Sequence, residues 1–181
     1  MLNIKTSIAL MLPLHIQHIV MPLIRASMPA SAGSYTAHIT LLYPFIAFNE
    51  NEKLDAACLK LHRICDEVSP IEVTLADYEF FPRVATMKIR NPDPIKALMQ
   101  RIWRHFPEYP PYEGAYGMDI MPHVTIAHLS EGQTATSLRL PDYEPVTFAI
   151  DRLHVNYGVP GTDLPWLTHD VIRFNGEVSP D

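Results

Sequence analysis

The stretch TAHITLLYPF, from Thr36 to Phe45, places a histidine at the start of a strongly apolar strand. The stretch MPHVTIAHLS, from Met121 to Ser130, repeats the same histidine–apolar–threonine–apolar pattern nearly half a chain length later. Because alternate side chains of a β-strand share a face, His38 and Thr40 are predicted to point the same way. The opposite face is predicted to carry Ile39, Leu41 and Tyr43.

The second stretch is expected to behave in the same way. His123 and Thr125 share one predicted face, and the other face carries Val124, Ile126 and His128. On this alternation His128 is interpreted as structural. Two such strands lying side by side would bring two imidazoles and two hydroxyls into one cleft.

The segments that precede the two histidine strands follow a similar order. A strand is predicted over residues 6–14, a helix over 17–26 and the first histidine strand over 37–43. The run VATMKIR, the helical segment NPDPIKALMQRIWRHFP and a strand over 124–129 repeat that order. This repeat predicts a single domain over residues 1–181, built of two intertwined lobes that each contribute one His-x-Thr strand.

The remaining segments complete an α+β pattern. A helix is predicted over residues 50–68, where Leu54, Cys58, Leu61 and Cys65 form one apolar stripe. The run IEVTLADYEFF is a strand that precedes VATMKIR. The tail is predicted to form two strands, VTFAIDRLHVNYG and WLTHDVIRF.

Composition limits the classes of function. The chain has 181 residues, of which 48% are hydrophobic and 19% charged, which suffices for one full core. Its formal net charge of −6 argues against a protein that grips DNA or long RNA, because such proteins present a basic face. A small nucleotide or a short RNA remains a plausible substrate, and we expect a monomer.

The cysteines and the N-terminal segment indicate a cytoplasmic protein without a membrane span. Cys58 and Cys65 would lie about 10 Å apart on one helix, too far for a disulfide. The run MLNIKTSIALMLPL resembles a short signal sequence, but polar residues follow it closely and favour a first strand. These polar residues are His15, Gln17, His18 and Arg25.

The paired polar residues suit the cleavage of a phosphodiester. Breaking a P–O bond needs a base for the attacking oxygen and an acid for the leaving oxygen, and histidine performs either role near neutral pH. His38 and His123 are the candidate catalytic pair. The hydroxyls of Thr40 and Thr125 are candidate donors to the non-bridging oxygens, where charge builds up. This chemistry requires neither a metal nor a cofactor.

The motifs HITL at His38–Leu41 and HVTI at His123–Ile126 resemble the paired His-x-Thr-x signatures of the two-histidine (2H) phosphoesterase superfamily. The similarity is greatest to its 2′-5′ RNA ligase-like or cyclic phosphodiesterase-like branch. The resemblance implies an α+β fold with a bilobed, pseudo-two-fold arrangement of two antiparallel sheets and flanking helices around a central cleft. It also implies metal-independent chemistry on 2′,3′-cyclic phosphates or 2′-5′ linkages. Several relatives carry a basic residue just after the second motif, where this chain has Ala127 and His128.

Three alternatives compete with the interpretation as a two-histidine phosphoesterase. A zinc hydrolase would need a third ligand near His38 and His123, and neither motif supplies one on the same face. A serine hydrolase is set aside because no G-x-S-x-G motif occurs. A non-catalytic nucleotide- or RNA-binding module with the same cleft stays open. His15 and His18, three residues apart, are expected on a solvated helix face.

Substrate recognition is expected to come from two loops, over residues 27–35 and 109–118. Their aromatic residues could stack on a base or simply pack, and these are Tyr35, Tyr109, Tyr112 and Tyr116. The other histidines show no partner spacing and are expected at surface or satisfied positions. They are His62, His105, His154 and His169.

Overall fold

The computed structural model describes residues 3–27, 35–129, 138, 140, 142–162 and 164–176. Within this part of the chain the elements are β1 (Lys5–Met11), α1 (Leu14–Ser27), β2 (His38–Leu42), α2 (Asn51–Cys65), β3 (Ile71–Phe81), β4 (Val84–Ile89), α3 (Asp93–His105), a 3₁₀ turn (Pro111–Gly114), β5 (His123–His128), β6 (Val146–Ile150), β7 (Arg152–Gly158) and β8 (Leu167–Arg173). The predicted loop over residues 28–34 lies outside the described residues.

The described strands form one antiparallel eight-stranded sheet in the order β6-β3-β4-β5-β2-β1-β7-β8. The two sheets that the family resemblance implies correspond to the two four-stranded halves of this sheet. The halves meet where β2 pairs with β5, at the residue pair Ile39 and Val124. The α+β fold and its antiparallel pairing are therefore confirmed, with the two histidine strands at the centre of the sheet.

The two histidine strands come from units of the same design. β1, α1 and β2 form one unit, and β4, α3 and β5 form the other. Each helix packs on the histidine strand of the other unit, since α1 contacts β5 and α3 contacts β2. This exchange is the arrangement expected of two lobes related by a pseudo-two-fold axis.

Buried hydrogen bonds attach α1 and α3 to β2 or to the residue just before it. Gln17 of α1 is buried and bonds both polar groups of the Ala37 backbone, with Nε2 donating to the carbonyl at 2.7 Å and Oε1 accepting from the amide at 3.0 Å. Trp103 of α3 donates its Nε1 proton to the carbonyl of Leu41 at 2.9 Å. Since these bonds fix the residues on both sides of His38 and Thr40, they hold the first motif in place.

The apolar stripe of α2 is confirmed. Leu54, Cys58, Leu61 and Cys65 are all buried, and both thiols are unpaired. Burial raises the pKa of each thiol to about 12, so neither is a reactive thiolate near neutral pH. No helix in the described ranges is long and apolar enough to cross a membrane.

The prediction of a single strand over residues 146–158 is wrong. This segment forms β6 and β7, which lie in opposite halves of the sheet, with β6 beside β3 and β7 beside β1. The burial pattern shows why, because Phe148 and Ile150 are buried at even positions, whereas Leu153 and Val155 are buried at odd positions. This change of phase marks an interruption of the regular strand, and the interruption falls at Asp151, between β6 and β7.

Candidate active site

The pairing of Ile39 with Val124 determines how the two motifs face each other. Continued by one residue on each side, this antiparallel register sets His38 across from Thr125 and His123 across from Thr40. The two histidines are then diagonal neighbours, which lie about 7–8 Å apart in a regular sheet. Each histidine therefore has the threonine of the other motif as its direct neighbour.

The two imidazoles are held in the same way. Nδ1 of His38 lies 2.7 Å from the carbonyl oxygen of Thr36, and Nδ1 of His123 lies 2.8 Å from that of Met121. A carbonyl oxygen only accepts, so Nδ1 carries the proton in both rings. Nε2 is consequently the nitrogen that exchanges a proton with a bound molecule. In both motifs the accepting carbonyl belongs to the residue two positions before the histidine.

Both histidines are partly buried, and this sets the direction of their pKa values. Burial lowers the pKa of His38 below 6.5, against the hydrogen bond to Thr36, and the charge of His123 lowers it further. Burial also lowers the pKa of His123, against the hydrogen bond to Met121 and the charge of Glu79. The effect of His123 on His38 indicates that the two rings lie near each other.

A cavity of about 620 Å³ opens beside the two motifs. His38, Thr40 and Thr125 line it, as predicted. His123 is not among its lining residues, and its ring instead lies against Phe81, with 5.4 Å between the ring centroids. The structure thus brings three of the four predicted residues to one cavity and sets the fourth next to them through the strand register.

The prediction that His128 faces away from the cleft is wrong, since His128 lines the cavity. A β-bulge between β4 and β5 causes the difference, because Thr86 pairs with Thr125 and Ala85 pairs with Ala127, which leaves Ile126 as an extra residue. Ile126 and Ala127 are therefore both buried. Two consecutive apolar residues in an otherwise alternating strand were the sequence signal for this bulge.

Tyr43 also lines the cavity, contrary to the prediction that it follows Ile39 and Leu41. β2 ends at Leu42, so strict alternation no longer applies at the next residue. The ring of Tyr43 meets the rings of Tyr112 and Trp166 edge to face, with centroids 6.2 Å and 6.0 Å apart. These three rings form an aromatic wall of the cavity.

Trp166 rests on the backbone of Gly158, at the end of β7. A Cβ atom on Gly158 would lie 2.6 Å from ring atoms of Trp166, so the indole occupies the space that a side chain would take. Sequence reasoning did not select Trp166. The glycine at the end of an alternating strand was the available signal, since it often marks a close approach.

Each motif threonine has a tyrosine hydroxyl beside it. The hydroxyl of Tyr35 donates to the carbonyl oxygen of Thr125 at 3.2 Å. Tyr112 and Thr40 line the same cavity, where burial raises the pKa of the Tyr112 phenol and the Thr40 side chain lowers it by less. Tyr35 and Tyr112 belong to the two loops that the sequence singled out for substrate recognition, and both line the cavity.

His154 is a second histidine that the sequence analysis placed elsewhere. It lies on β7 and lines the cavity, and its Nδ1 is buried without a hydrogen-bond partner. Burial, followed by the charge of Arg152, lowers the pKa of this ring. The expectation of a surface or satisfied position is therefore wrong, because β7 follows β1 into the cleft after the break at Asp151.

The described residues hold no cluster of three or more histidine, cysteine, aspartate or glutamate side chains that could bind a metal ion. His15 and His18 both lie on the exposed face of α1, as expected from their spacing.

Fold and site together define a class: an α+β protein in which two pseudo-symmetric His-x-Thr strands meet at the centre of an antiparallel sheet. The sequence model of the 2′-5′ RNA ligase superfamily matches residues 12–157, and the chain belongs to this superfamily of two-histidine phosphoesterases. The resemblance found in HITL and HVTI is thereby confirmed. A search of curated protein sequences gives no match.

Solved structures share the whole fold at low sequence identity. LigT of E. coli complexed with 3′-AMP is 16% identical, with 95% of this chain and 98% of that chain covered and a TM-score of 0.67. LigT complexed with ATP is 17% identical, with coverage of 94% and 97% and a TM-score of 0.69. A protein of Thermus thermophilus is 17% identical, with coverage of 96% and 100% and a TM-score of 0.60.

Proposed function

We propose that this protein is a metal-independent phosphoesterase that acts on a nucleotide phosphodiester, either a 2′,3′-cyclic phosphate or a 2′-5′ linkage. His38 and His123 are the general acid and base, and Thr40 and Thr125 bind the phosphate. The observation that carries the proposal is the matched anchoring of the two imidazoles through Nδ1, which leaves both Nε2 atoms for proton transfer.

Hydrolysis of a cyclic phosphate would proceed in one step. Nε2 of the neutral histidine takes a proton from water while the water oxygen forms a bond to phosphorus. The bond from phosphorus to one ribose oxygen breaks, and Nε2 of the protonated histidine gives its proton to that oxygen. The product is a 2′- or 3′-phosphomonoester, and the two histidines end with their protonation states exchanged.

The threonines act on the charge that this step develops. Each hydroxyl is a donor next to the opposite histidine, where it can bond a non-bridging oxygen as negative charge gathers there. Because the donors belong to strands at the centre of the sheet, little reorganisation is needed during the reaction. This arrangement supports a phosphate bound between the two motifs.

A small nucleotide or a short RNA fits the cavity better than long nucleic acid. Its volume of about 620 Å³ falls within the usual range for small-molecule sites. Its aromatic wall offers faces and edges for a base, and LigT has been crystallised with 3′-AMP and with ATP. The net charge of −6 disfavours DNA. We further propose that the protein acts as a monomeric single domain in the cytoplasm, where buried thiols such as Cys58 and Cys65 stay reduced.

A non-catalytic nucleotide-binding module is the second candidate, and one observation favours it. Burial lowers the pKa of both motif histidines, which depletes the protonated acid at neutral pH. Such a protein would bind nucleotides in the same cavity but would not turn them over. Binding without turnover across the acid pH range would select this candidate.

The test is a screen of 2′,3′-cyclic nucleotides and 2′-5′-linked dinucleotides with chelator present, with products identified by phosphorus NMR. We expect turnover of at least one phosphodiester and loss of that turnover in His38→Ala and His123→Ala. His18→Ala is the matched control, because His18 is exposed on α1 away from the motifs. Absence of turnover for every phosphodiester would refute the proposal.

A further inference from the structure

The cavity presents an unusual set of groups to a phosphate. Its described lining residues include hydroxyls and histidines but neither lysine nor arginine. A phosphodiester carries a negative charge that grows on its non-bridging oxygens during cleavage, and that charge needs donors. The two threonines supply one proton each, because a hydroxyl has a single proton to donate.

Two further hydroxyls stand at the places where these donors are needed. Tyr35 precedes β2 but reaches across to Thr125 of β5. Tyr112 precedes β5, and its backbone amide donates to the carbonyl of Tyr43 just after β2, so that Tyr112 lines the same cavity as Thr40. Both phenols line this cavity, and burial, followed by the charge of Tyr112, raises the pKa of Tyr35. Four hydroxyls, two from threonine and two from tyrosine, are therefore gathered between the motifs in a reciprocal arrangement.

We propose that Tyr35 and Tyr112 bind the phosphate directly, each donating its hydroxyl proton to a non-bridging oxygen beside the neighbouring threonine. This inference rests on the proposed function and assigns residues that neither His-x-Thr motif contains. The phenols supply neutral donors in a cavity whose described lining has no cationic side chain other than protonated histidine.

The hydrogen bond that Tyr35 makes can give way to one with a phosphate. The bond from Tyr35 to the carbonyl of Thr125 is long at 3.2 Å, and a hydrogen bond to a charged phosphate oxygen is stronger than one to a neutral carbonyl. Burial raises the pKa of both phenols, so both remain protonated donors over the working range of the histidines. Each phenol can therefore turn from its threonine to a bound phosphate.

The backbone at Tyr112 supports a functional placement. Tyr112 and Glu113 have φ angles of 50° and 56°, in the left-handed region that residues other than glycine seldom adopt. Both positions carry a side chain in this conformation, and Gly114, with a φ angle of 84°, follows directly. Strained backbone of this kind clusters at functional sites, and here it occurs at the residue that lines the cavity together with Thr40.

Tyr35→Phe and Tyr112→Phe test this inference, because each removes one hydroxyl and keeps the ring. We expect each variant to lower kcat/KM for adenosine 2′,3′-cyclic phosphate by roughly 10²-fold, the scale for one lost donor to developing charge. Tyr157→Phe is the matched control, since Tyr157 stacks on Phe48 with ring centroids 4.1 Å apart, away from the cavity lining.

A thio-substitution series separates a phosphate contact from a structural role. Sulfur accepts hydrogen bonds poorly, so the Rp and Sp cyclic phosphorothioates should each react more slowly than the oxygen substrate with the parent enzyme. If a phenol donates to one non-bridging oxygen, its removal should reduce the thio effect for one diastereomer and preserve it for the other. Tyr157→Phe should leave both thio effects unchanged.

The outcomes distinguish this inference from the proposed function. If the parent turns over the cyclic phosphate and both phenylalanine variants keep its rates or its thio effects, the phosphate contact is refuted. The proposed phosphoesterase activity is not affected by that result. A parent that neither turns over the cyclic phosphate nor binds adenosine 3′-monophosphate by calorimetry would overturn both. If the parent binds that product without turnover, weaker binding by Tyr35→Phe or Tyr112→Phe supports the contact, and equal binding overturns it.

Discussion

Ile39 of β2 is the backbone partner of Val124 of β5, and at this pair the two halves of the sheet join. Both side chains are fully buried, so the polar residues on either side of each are turned to the opposite face. The same register crosses the two motifs, with each histidine facing the other motif's threonine. One pairing therefore fixes both the junction of the lobes and the geometry of the proposed phosphate site.

Replacing a motif threonine should impair the reaction without disturbing the strand. Thr40→Val and Thr125→Val remove a hydroxyl and keep a β-branched shape, so each should lower kcat by up to roughly 10²–10³-fold. Steady-state kinetics with a cyclic nucleotide and a denaturant melt would check both claims. Thr147→Val is the control, because its hydroxyl bonds Thr74 at the far edge of the sheet. Parent-like kcat in both motif variants would exclude the threonines as transition-state donors.

The pH dependence of kcat/KM should be bell-shaped with its maximum on the acid side of pH 6.5. Catalysis needs one neutral and one protonated imidazole, and burial lowers the pKa of both His38 and His123 from 6.5. A lowered pKa means that a ring loses its proton at lower pH, so the singly protonated pair is depleted as the pH rises above 6.5.

The profile of kcat should extend to higher pH than that of kcat/KM. A bound phosphate carries negative charge, which favours the protonated imidazole and raises its pKa in the complex. Both profiles can be measured with a cyclic nucleotide in buffers of constant ionic strength. A kcat/KM that keeps rising into the alkaline range would contradict the two-histidine assignment.

Turnover should survive treatment with a chelator. Both proton transfers are assigned to imidazoles, so dialysis against EDTA should leave kcat unchanged within error. The zinc hydrolase considered from the sequence requires the opposite result. Loss of turnover in EDTA that is restored by zinc or manganese would favour that alternative.

Two glycines should respond differently to an added methyl group. A Cβ on Gly176 would lie 2.6 Å and 2.8 Å from backbone atoms of Val68 and Ser69, which cannot move independently. Gly176→Ala should therefore lower the free energy of unfolding by about 1–3 kcal/mol, the usual cost of overpacking. Urea denaturation of Gly176→Ala, Gly158→Ala and the parent would measure the difference in stability between the two glycine variants.

Gly158→Ala should cost less stability, because the atoms in its way belong to the Trp166 ring, which can swing towards solvent. The expected signature is a red shift in the fluorescence of Trp166, since the chain's other tryptophan, Trp103, is buried in the core. An unchanged spectrum together with a stability loss equal to that of Gly176→Ala would contradict the placement of Trp166.

Sequence patterns predicted the centre of this structure well, and the reason is physical. The alternation in HITL and HVTI follows from the two-residue period of a strand, and the same period sets which side chains share a face. His38, Thr40 and Thr125 line the cavity as that period requires. The apolar stripe of α2 was predictable for the corresponding reason, because apolar residues at helical spacing lie on one face of a helix and are buried together.

The errors occurred where the chain departs from its period. His128 and Tyr43 reach the cavity because a bulge and a strand end interrupt alternation. His154 reaches it because the tail segment breaks at Asp151 and crosses to the other half of the sheet. Contacts such as that of Tyr35 with Thr125 join residues far apart in the sequence, and local periodicity carries no information about them.

The most direct test of the two-histidine account is the turnover of a 2′,3′-cyclic nucleotide by His38→Ala, His123→Ala and the double variant. Each single change should lower kcat by on the order of 10²–10⁴-fold, the range for loss of a general acid or base. The double variant should lose less than the product of the two factors, because both groups act in one transition state. If both single variants turn over the substrate as fast as the parent, the motifs are structural and the account is wrong.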